Sequence, residues 1–65
     1  MLMFNGAQRK VAAHAVLAAL IRQESGDARG CAAAVDGDVV PRSEWDSFTL
    51  RDGQVIELVT AAQGG

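Results

Sequence analysis

The chemistry this sequence can offer is concentrated at its end. Residues 61–65 read Ala61-Ala62-Gln63-Gly64-Gly65 and carry no bulky side chain. Fully extended they span about 16 Å, and a Gly-Gly pair can pass a channel too narrow for any residue with a Cβ. The reactive group such a tail would deliver is the Gly65 carboxylate itself. The competing view is a frayed, solvated end of no consequence, as many chain ends are. Three features weigh against it: the pair closes the sequence, it follows directly from a strongly β-forming segment, and nothing between the two is large.

Elsewhere the catalytic vocabulary is thin, with one His, one Cys and no Tyr. A Cys–His nucleophile pair needs its side chains within hydrogen-bonding reach, and nothing in the sequence sets His14 beside Cys31. Cys31 reads as a small core residue and His14 as a helix-end residue. Two N/S donors do not close a tetrahedral zinc site without carboxylates, so no metal is expected. Asp36, Asp38 and Glu44 lack the spacing of a calcium loop, and Asp36-Gly37-Asp38 reads as a turn. The glycines match neither G-x-x-x-x-G-K-[ST] nor G-x-G-x-x-G, the phosphate-binding patterns.

The elements that must carry the tail follow from periodicity and turn chemistry. Apolar residues 1–4 run into Asn5-Gly6, which suits a two-residue type I′ turn because both central positions need φ > 0. Residues 8–12 would return as the second strand. Residues 13–24 predict a helix, with Val16/Leu20 and Leu17/Ile21 as i,i+4 pairs. Ser25-Gly26-Asp27 ends it, Gly26 being suited to the left-handed position after a helix. No Ser, Thr or Asp stands at the expected N-cap near Ala12, Ala13 and His14.

Residues 31–35, the turn Asp36-Gly37 and residues 38–40 predict a second hairpin. Its outer arm ends at Pro41, which lacks a ladder donor and suits a sheet edge. Ser43 and Asp46 have capping-box spacing, predicting one helical turn over residues 43–47 that presses Trp45 and Phe48 inward. After a turn at Arg51-Asp52-Gly53, residues 54–60 form the strongest strand. It carries Ile56 and Leu58 on one face and Val55, Glu57 and Val59 on the other, and is expected to be central. Two antiparallel hairpins and one long helix across one face of a small mixed sheet make a two-layer α+β architecture. The predicted core is Leu2, Phe4, Val11, Leu17, Leu20, Ile21, Val35, Val40, Trp45, Phe48, Leu50, Ile56 and Leu58.

Sixty-five residues predict a single domain over 1–65, with residues 61–65 as a flexible tail and no linker. A domain this small buries only about 60% of its unfolded surface, which argues against a deep catalytic pocket. Hydrophobic residues make up 49% of the chain. Twelve of them are Ala, so the core has fewer large side chains than that figure suggests. A net charge of −2 with scattered Lys and Arg argues against nucleic acid. The longest strongly apolar run, residues 15–21, falls far short of the roughly 20 residues that span a bilayer, and the N-terminus lacks the charged n-region of a secretory signal. The reading is a cytoplasmic protein without membrane contact, and a monomer that forms transient complexes.

Several stretches then combine: Ala33-Ala34-Val35-Asp36-Gly37, Val40-Pro41-Arg42-Ser43-Glu44-Trp45, Leu50-Arg51-Asp52-Gly53-Gln54-Val55-Ile56-Glu57-Leu58-Val59-Thr60 and the final Gln63-Gly64-Gly65. In these the sequence resembles the sulfur carrier proteins of thiamine biosynthesis (ThiS type), in the ubiquitin-like β-grasp group. The resemblance covers essentially the whole chain and is strongest over residues 33–65. A Gly-Gly end alone would be weak, whereas Val-Pro-Arg-x-x-Trp followed by the Asp-Gly turn, a strand and Gln-Gly-Gly is specific. Two departures stand out. Residues 8–16 are shorter than the family pattern and lack the Thr that usually starts the helix, and Cys31 replaces a more usual aliphatic residue.

The resemblance implies a β-grasp fold and a carrier that is a protein co-substrate and not an enzyme. A ThiF-like adenylating enzyme would use ATP to activate the Gly65 carboxylate, and the carrier would bind no cofactor of its own. Sulfur from a cysteine desulfurase relay would displace AMP to leave a thiocarboxylate, which a ThiG-like thiazole synthase would consume in building the thiazole ring. Gly64 and Gly65 carry over as the reactive tail, and Gln63 matches the family's usual polar residue. Partners are expected on the sheet face not covered by the helix, at Val55, Glu57 and Val59. Alternatives stay open: a carrier for another acceptor, such as the small subunit of molybdopterin synthase or a carrier in secondary metabolism; a ubiquitin-like protein modifier; or an interaction module with an inert tail.

Overall fold

A computed structural model describes residues 1–26 and 30–60. Within them five strands form one sheet: β1 (Leu2–Phe4), β2 (Ala7–Arg9), β3 (Cys31–Val35), β4 (Asp38–Val40) and β5 (Val55–Thr60), in the order β2-β1-β5-β3-β4. One helix, α1 (Leu17–Ser25), and a 3₁₀ helix over Arg42–Ser47 complete the set. Both hairpins turn as their dipeptides dictate, with positive φ at Asn5 (49°) and Gly6 (85°) and at Asp36 (51°) and Gly37 (90°). As expected, β5 is central, with β1 parallel on one side and β3 antiparallel on the other. The sheet is therefore mixed, β4 lies at an edge, and the architecture is α+β.

The core follows from this register. Phe4 and Val35 both pair with Ile56, one from each side, and all three are buried. Leu17, Leu20 and Ile21 close the same face from α1, and Trp45 seals one end of it. Trp45 is 5% exposed and satisfies its indole by donating from Nε1 to the Val40 carbonyl at 2.9 Å. The guanidinium of Arg42 lies 5.3 Å from the Trp45 ring centroid. Every residue of the predicted core lies in this cluster or packs against it. Ala18 and Ala33 join it, since positions where helix meets sheet and strand meets strand have room only for a methyl.

Three local expectations are corrected. The second strand ends at Arg9 and does not reach residue 12. Its partner runs out there, because Arg9 pairs with Leu2 and the Met1 carbonyl instead accepts from Gly53 N–H at 2.9 Å. The helix begins at Leu17, four residues after Ala13. His14 is left-handed (φ 67°), which an α-helix excludes, and Val16 is extended in a bridge to Thr49. Leu17 N–H donates to the Phe48 carbonyl at 2.8 Å and Leu50 N–H to the Ala15 carbonyl at 2.8 Å, so the helix start is capped by another segment's backbone. Finally, the Ser43–Asp46 capping box does not form. The 3₁₀ helix is capped at Pro41, whose carbonyl accepts from Glu44 N–H, so Ser43 already lies inside the first turn.

The end of α1 is as read: Gly26 (φ 77°) donates from N–H to the Arg22 carbonyl at 2.9 Å. Asp27 lies outside the described residues. Among the described residues no helix is long and apolar enough to cross a membrane.

Candidate functional site

Strand alternation sends successive β5 side chains to opposite faces. Ile56 and Leu58 turn toward α1, while Val55 (45% exposed), Glu57 and Val59 (60% exposed) stand on the face α1 leaves bare. The sheet register extends that face on both sides. Met3 pairs with Val55, Ala32 with Val59, and Ala34 with both Glu57 and Val39. Val39 is 73% exposed. The result is an apolar surface of Met3, Val39, Val55 and Val59 on a floor of alanines, with Glu57 as the charge inside it. Sequence reading found the β5 members and missed Met3 and Val39. The alternation of Leu2-Met3-Phe4 and of Val39-Val40 was the available signal, but the strands are too short for it to stand out.

The start of β5 is fixed by turn chemistry. Asp36 N–H donates to the Val55 carbonyl at 2.7 Å, and Asp36 Oδ1 accepts from Val55 N–H at 2.9 Å. That carboxylate, weighed in the sequence as a calcium ligand, is thus occupied by the backbone of β5. Gln54 Oε1 accepts from Arg51 N–H at 2.7 Å and tightens the preceding turn, where Gly53 has φ 83°. The Met1 ammonium donates to Asp52 Oδ1 at 2.6 Å and, by that bond and its charge, holds the Asp52 carboxyl below its ordinary pKa. Both groups are exposed, so this contact orders the turn more than it stabilises the fold.

A wide depression lies beside this turn, lined by Asp36, Phe48, Arg51 and Gln54 among others. It sits at the beginning of β5, whereas the predicted reactive end continues from Thr60, about 17 Å further along the strand. His14 is exposed in the turn before α1, and Cys31 is half-buried at the start of β3, opposite Thr60. Cys31 packs against the core cluster, as its reading as a small core residue requires. Among the described residues no group of three or more His, Cys, Asp or Glu could hold a metal ion. Gln63, Gly64 and Gly65 lie outside the described residues, as does the whole of 61–65.

Comparison with known proteins adds three findings. The model of the ThiS family matches residues 2–65. A crystal structure of the thiamine biosynthesis protein ThiS from Geobacter metallireducens superposes with a TM-score of 0.81 at 25% sequence identity, covering 98% of this chain and 97% of that one. No curated protein matches.

Proposed function

This chain belongs to the ThiS family, a family of ubiquitin-like β-grasp sulfur carriers, and from that premise we propose that the Gly65 carboxylate is its working group. The observation that carries the proposal is the reach of the family match. It runs to residue 65 and so takes in Gln63-Gly64-Gly65 together with the sheet that presents them. The coarse conclusion, a sulfur carrier of thiamine biosynthesis and not a catalyst, rests on that match and on the likeness to ThiS.

In the finer reading an adenylating enzyme of ThiF type attaches AMP to Gly65. A carboxylate resists nucleophiles until one oxygen becomes a good leaving group, and AMP supplies it. The outer sulfur of a persulfide on a cysteine desulfurase relay then displaces AMP, and a thiol cleaves the resulting acyl disulfide, itself becoming a disulfide, to leave a thiocarboxylate. A thiazole synthase of ThiG type takes that sulfur. ATP is the activating enzyme's substrate, and the carrier holds no cofactor. Glycines at 64 and 65 suit this because a chain without Cβ atoms can enter a narrow active site.

The same partners dock, in this reading, on the bare sheet face of Val55, Glu57 and Val59, from which the tail continues. Val59→Glu tests that. The side chain is 60% exposed, so stability should change by less than about 0.5 kcal/mol. The KM of adenylation should rise about tenfold or more at unchanged kcat, because a charge placed among the exposed valines removes an apolar contact from the interface. An unchanged KM would move the docking site elsewhere.

The decisive experiment is the intact mass of the chain after incubation with ATP, a sulfur donor and an activating enzyme. The expected product has one oxygen replaced by sulfur, localised by fragmentation to Gly65. A chain that stays unmodified under conditions that load an authentic ThiS protein overturns the proposal.

A further inference from the structure

β5 is braced unevenly. On one side β3 accompanies it to its last residue, Cys31 pairing with Thr60. On the other side β1 stops at Phe4, which pairs with Ile56, and the chain turns away at Asn5-Gly6. The last main-chain bond across that side is Asn5 N–H to the Ile56 carbonyl at 2.9 Å. A strand end held on one side only is prone to fray. It is also the segment from which residues 61–65 continue.

The Asn5 side chain fills the gap. Its Oδ1 accepts from Leu58 N–H at 2.8 Å and its Nδ2 donates to the Leu58 carbonyl at 3.3 Å. The carboxamide thus presents to Leu58 the acceptor and donor that a continuation of β1 would have presented. The turn alone does not demand Asn. Asp36 occupies the equivalent position of the second hairpin, with nearly the same φ, and Gly is equally suited there. An ionised Asp offers acceptors alone and Gly offers no side chain, whereas the Asn carboxamide offers both a donor and an acceptor. The two hairpin turns accordingly pin β5 at two points, Asp36 at Val55 and Asn5 at Leu58.

We propose that Asn5 is a positioning residue for the carrier chemistry: by clamping the backbone of Leu58 it holds the last residues of β5, 58–60, in the sheet. The proposal rests on the carrier reading for its chemistry and on the two amide contacts for its geometry. Adenylation requires the carboxylate to meet the α-phosphorus in line, and an error of an ångström can cost two orders of magnitude in rate. Asn5 stands at the edge of β1 and touches none of Val55, Glu57 or Val59 through these bonds, so its loss should act on turnover and not on docking.

The test uses the full chain. Asn5→Gly keeps a turn residue that accepts positive φ and removes both amide contacts. Its Leu58 amide should exchange with solvent about tenfold faster than in the unaltered chain while the Ile56 amide keeps its protection. With an activating enzyme, the kcat of adenylation should fall about tenfold or more at a KM within about twofold. Asn5→Asp keeps the acceptor for Leu58 N–H but gains a donor for the carbonyl only when protonated. Its Leu58 amide, whose acceptor remains, should exchange at neutral pH within about threefold of the unaltered chain. Unchanged Leu58 exchange in Asn5→Gly, or exchange in Asn5→Asp as fast as in Asn5→Gly, overturns the clamp. Faster exchange with unchanged kcat overturns the positioning role and leaves a structural contact. Were the unaltered chain not adenylated at all, the carrier reading would fall together with the positioning role, and the exchange data would still decide on the clamp.

Discussion

Deleting Gly64 and Gly65 abolishes sulfur loading and leaves the fold as stable as before. The expectation separates the three readings of the tail. Residues 61–65 follow the last strand and contribute no large apolar side chain, so their removal should change the unfolding free energy by less than about 0.5 kcal/mol. The chemistry, by contrast, has no substitute: the new terminal carboxylate would sit on Gln63, two residues short of the adenylating site. Gly65→Ala is the finer probe. One methyl next to the reacting carbon should lower the adenylation rate by about 100-fold if the site excludes a Cβ. Intact mass after reaction with ATP and a sulfur donor reads both variants. Full loading of the shortened chain would make the tail inert, and isopeptide-linked conjugates of the unaltered chain in cells would favour a protein modifier.

The second large effect is on the fold itself. Ile56→Ala is expected to leave the chain largely unfolded at 25 °C. Ile56 is 0% exposed at the centre of the sheet, flanked by Phe4 and Val35 and covered by α1. Truncating such a residue costs about 2–5 kcal/mol through lost burial and the cavity left behind. A core of this size supplies only about 3–5 kcal/mol in total. Urea titration followed by circular dichroism measures the difference. Val55→Ala, next along the strand but 45% exposed, is the control and should cost less than about 0.5 kcal/mol. A cost below about 1 kcal/mol for Ile56→Ala would mean that the sheet is held chiefly by something other than this row.

Val55 and Ile56, adjacent in β5 and opposite in exposure, mark how much is legible in the chain. The Asn5-Gly6 and Asp36-Gly37 turns were legible because left-handed backbone at consecutive positions restricts residue choice so strongly. The alternation in β5 was legible because a half-covered sheet imposes a period of two on six consecutive residues. From these came the hairpins, the central strand, and the exposed Val55, Glu57 and Val59. The Gly-Gly end stands out for a different reason, the absence of any bulky side chain over residues 61–65.

Other features have no local signature. The start of α1 carries no capping side chain, because its first N–H is satisfied by the Phe48 carbonyl, a residue 31 positions away in sequence (48 − 17). The i,i+4 pairs and intervening alanines predict helix over residues 13–16, and the left-handed backbone of His14 together with the bridge between Val16 and Thr49 forbids it. Ser43 and Asp46 have the right spacing for a cap and the wrong phase, since Pro41 starts the 3₁₀ helix two residues earlier than that spacing implies. The second function of Asn5 is equally hidden: its turn is encoded by neighbours, but its amide meets Leu58, 53 positions away.

The sequence by itself thus determined the turns, the strand faces and the buried side chains, since each depends on residue type and on spacing along the chain. Tertiary structure alone decided where the helix begins, how far the second strand runs, which residues of other strands join Val55 and Val59 on the bare face, and that Asn5 grips Leu58. The physical reason is common to all four. Backbone hydrogen bonds and strand register are satisfied by whichever segment arrives alongside, and which segment that is depends on the packing of the whole core.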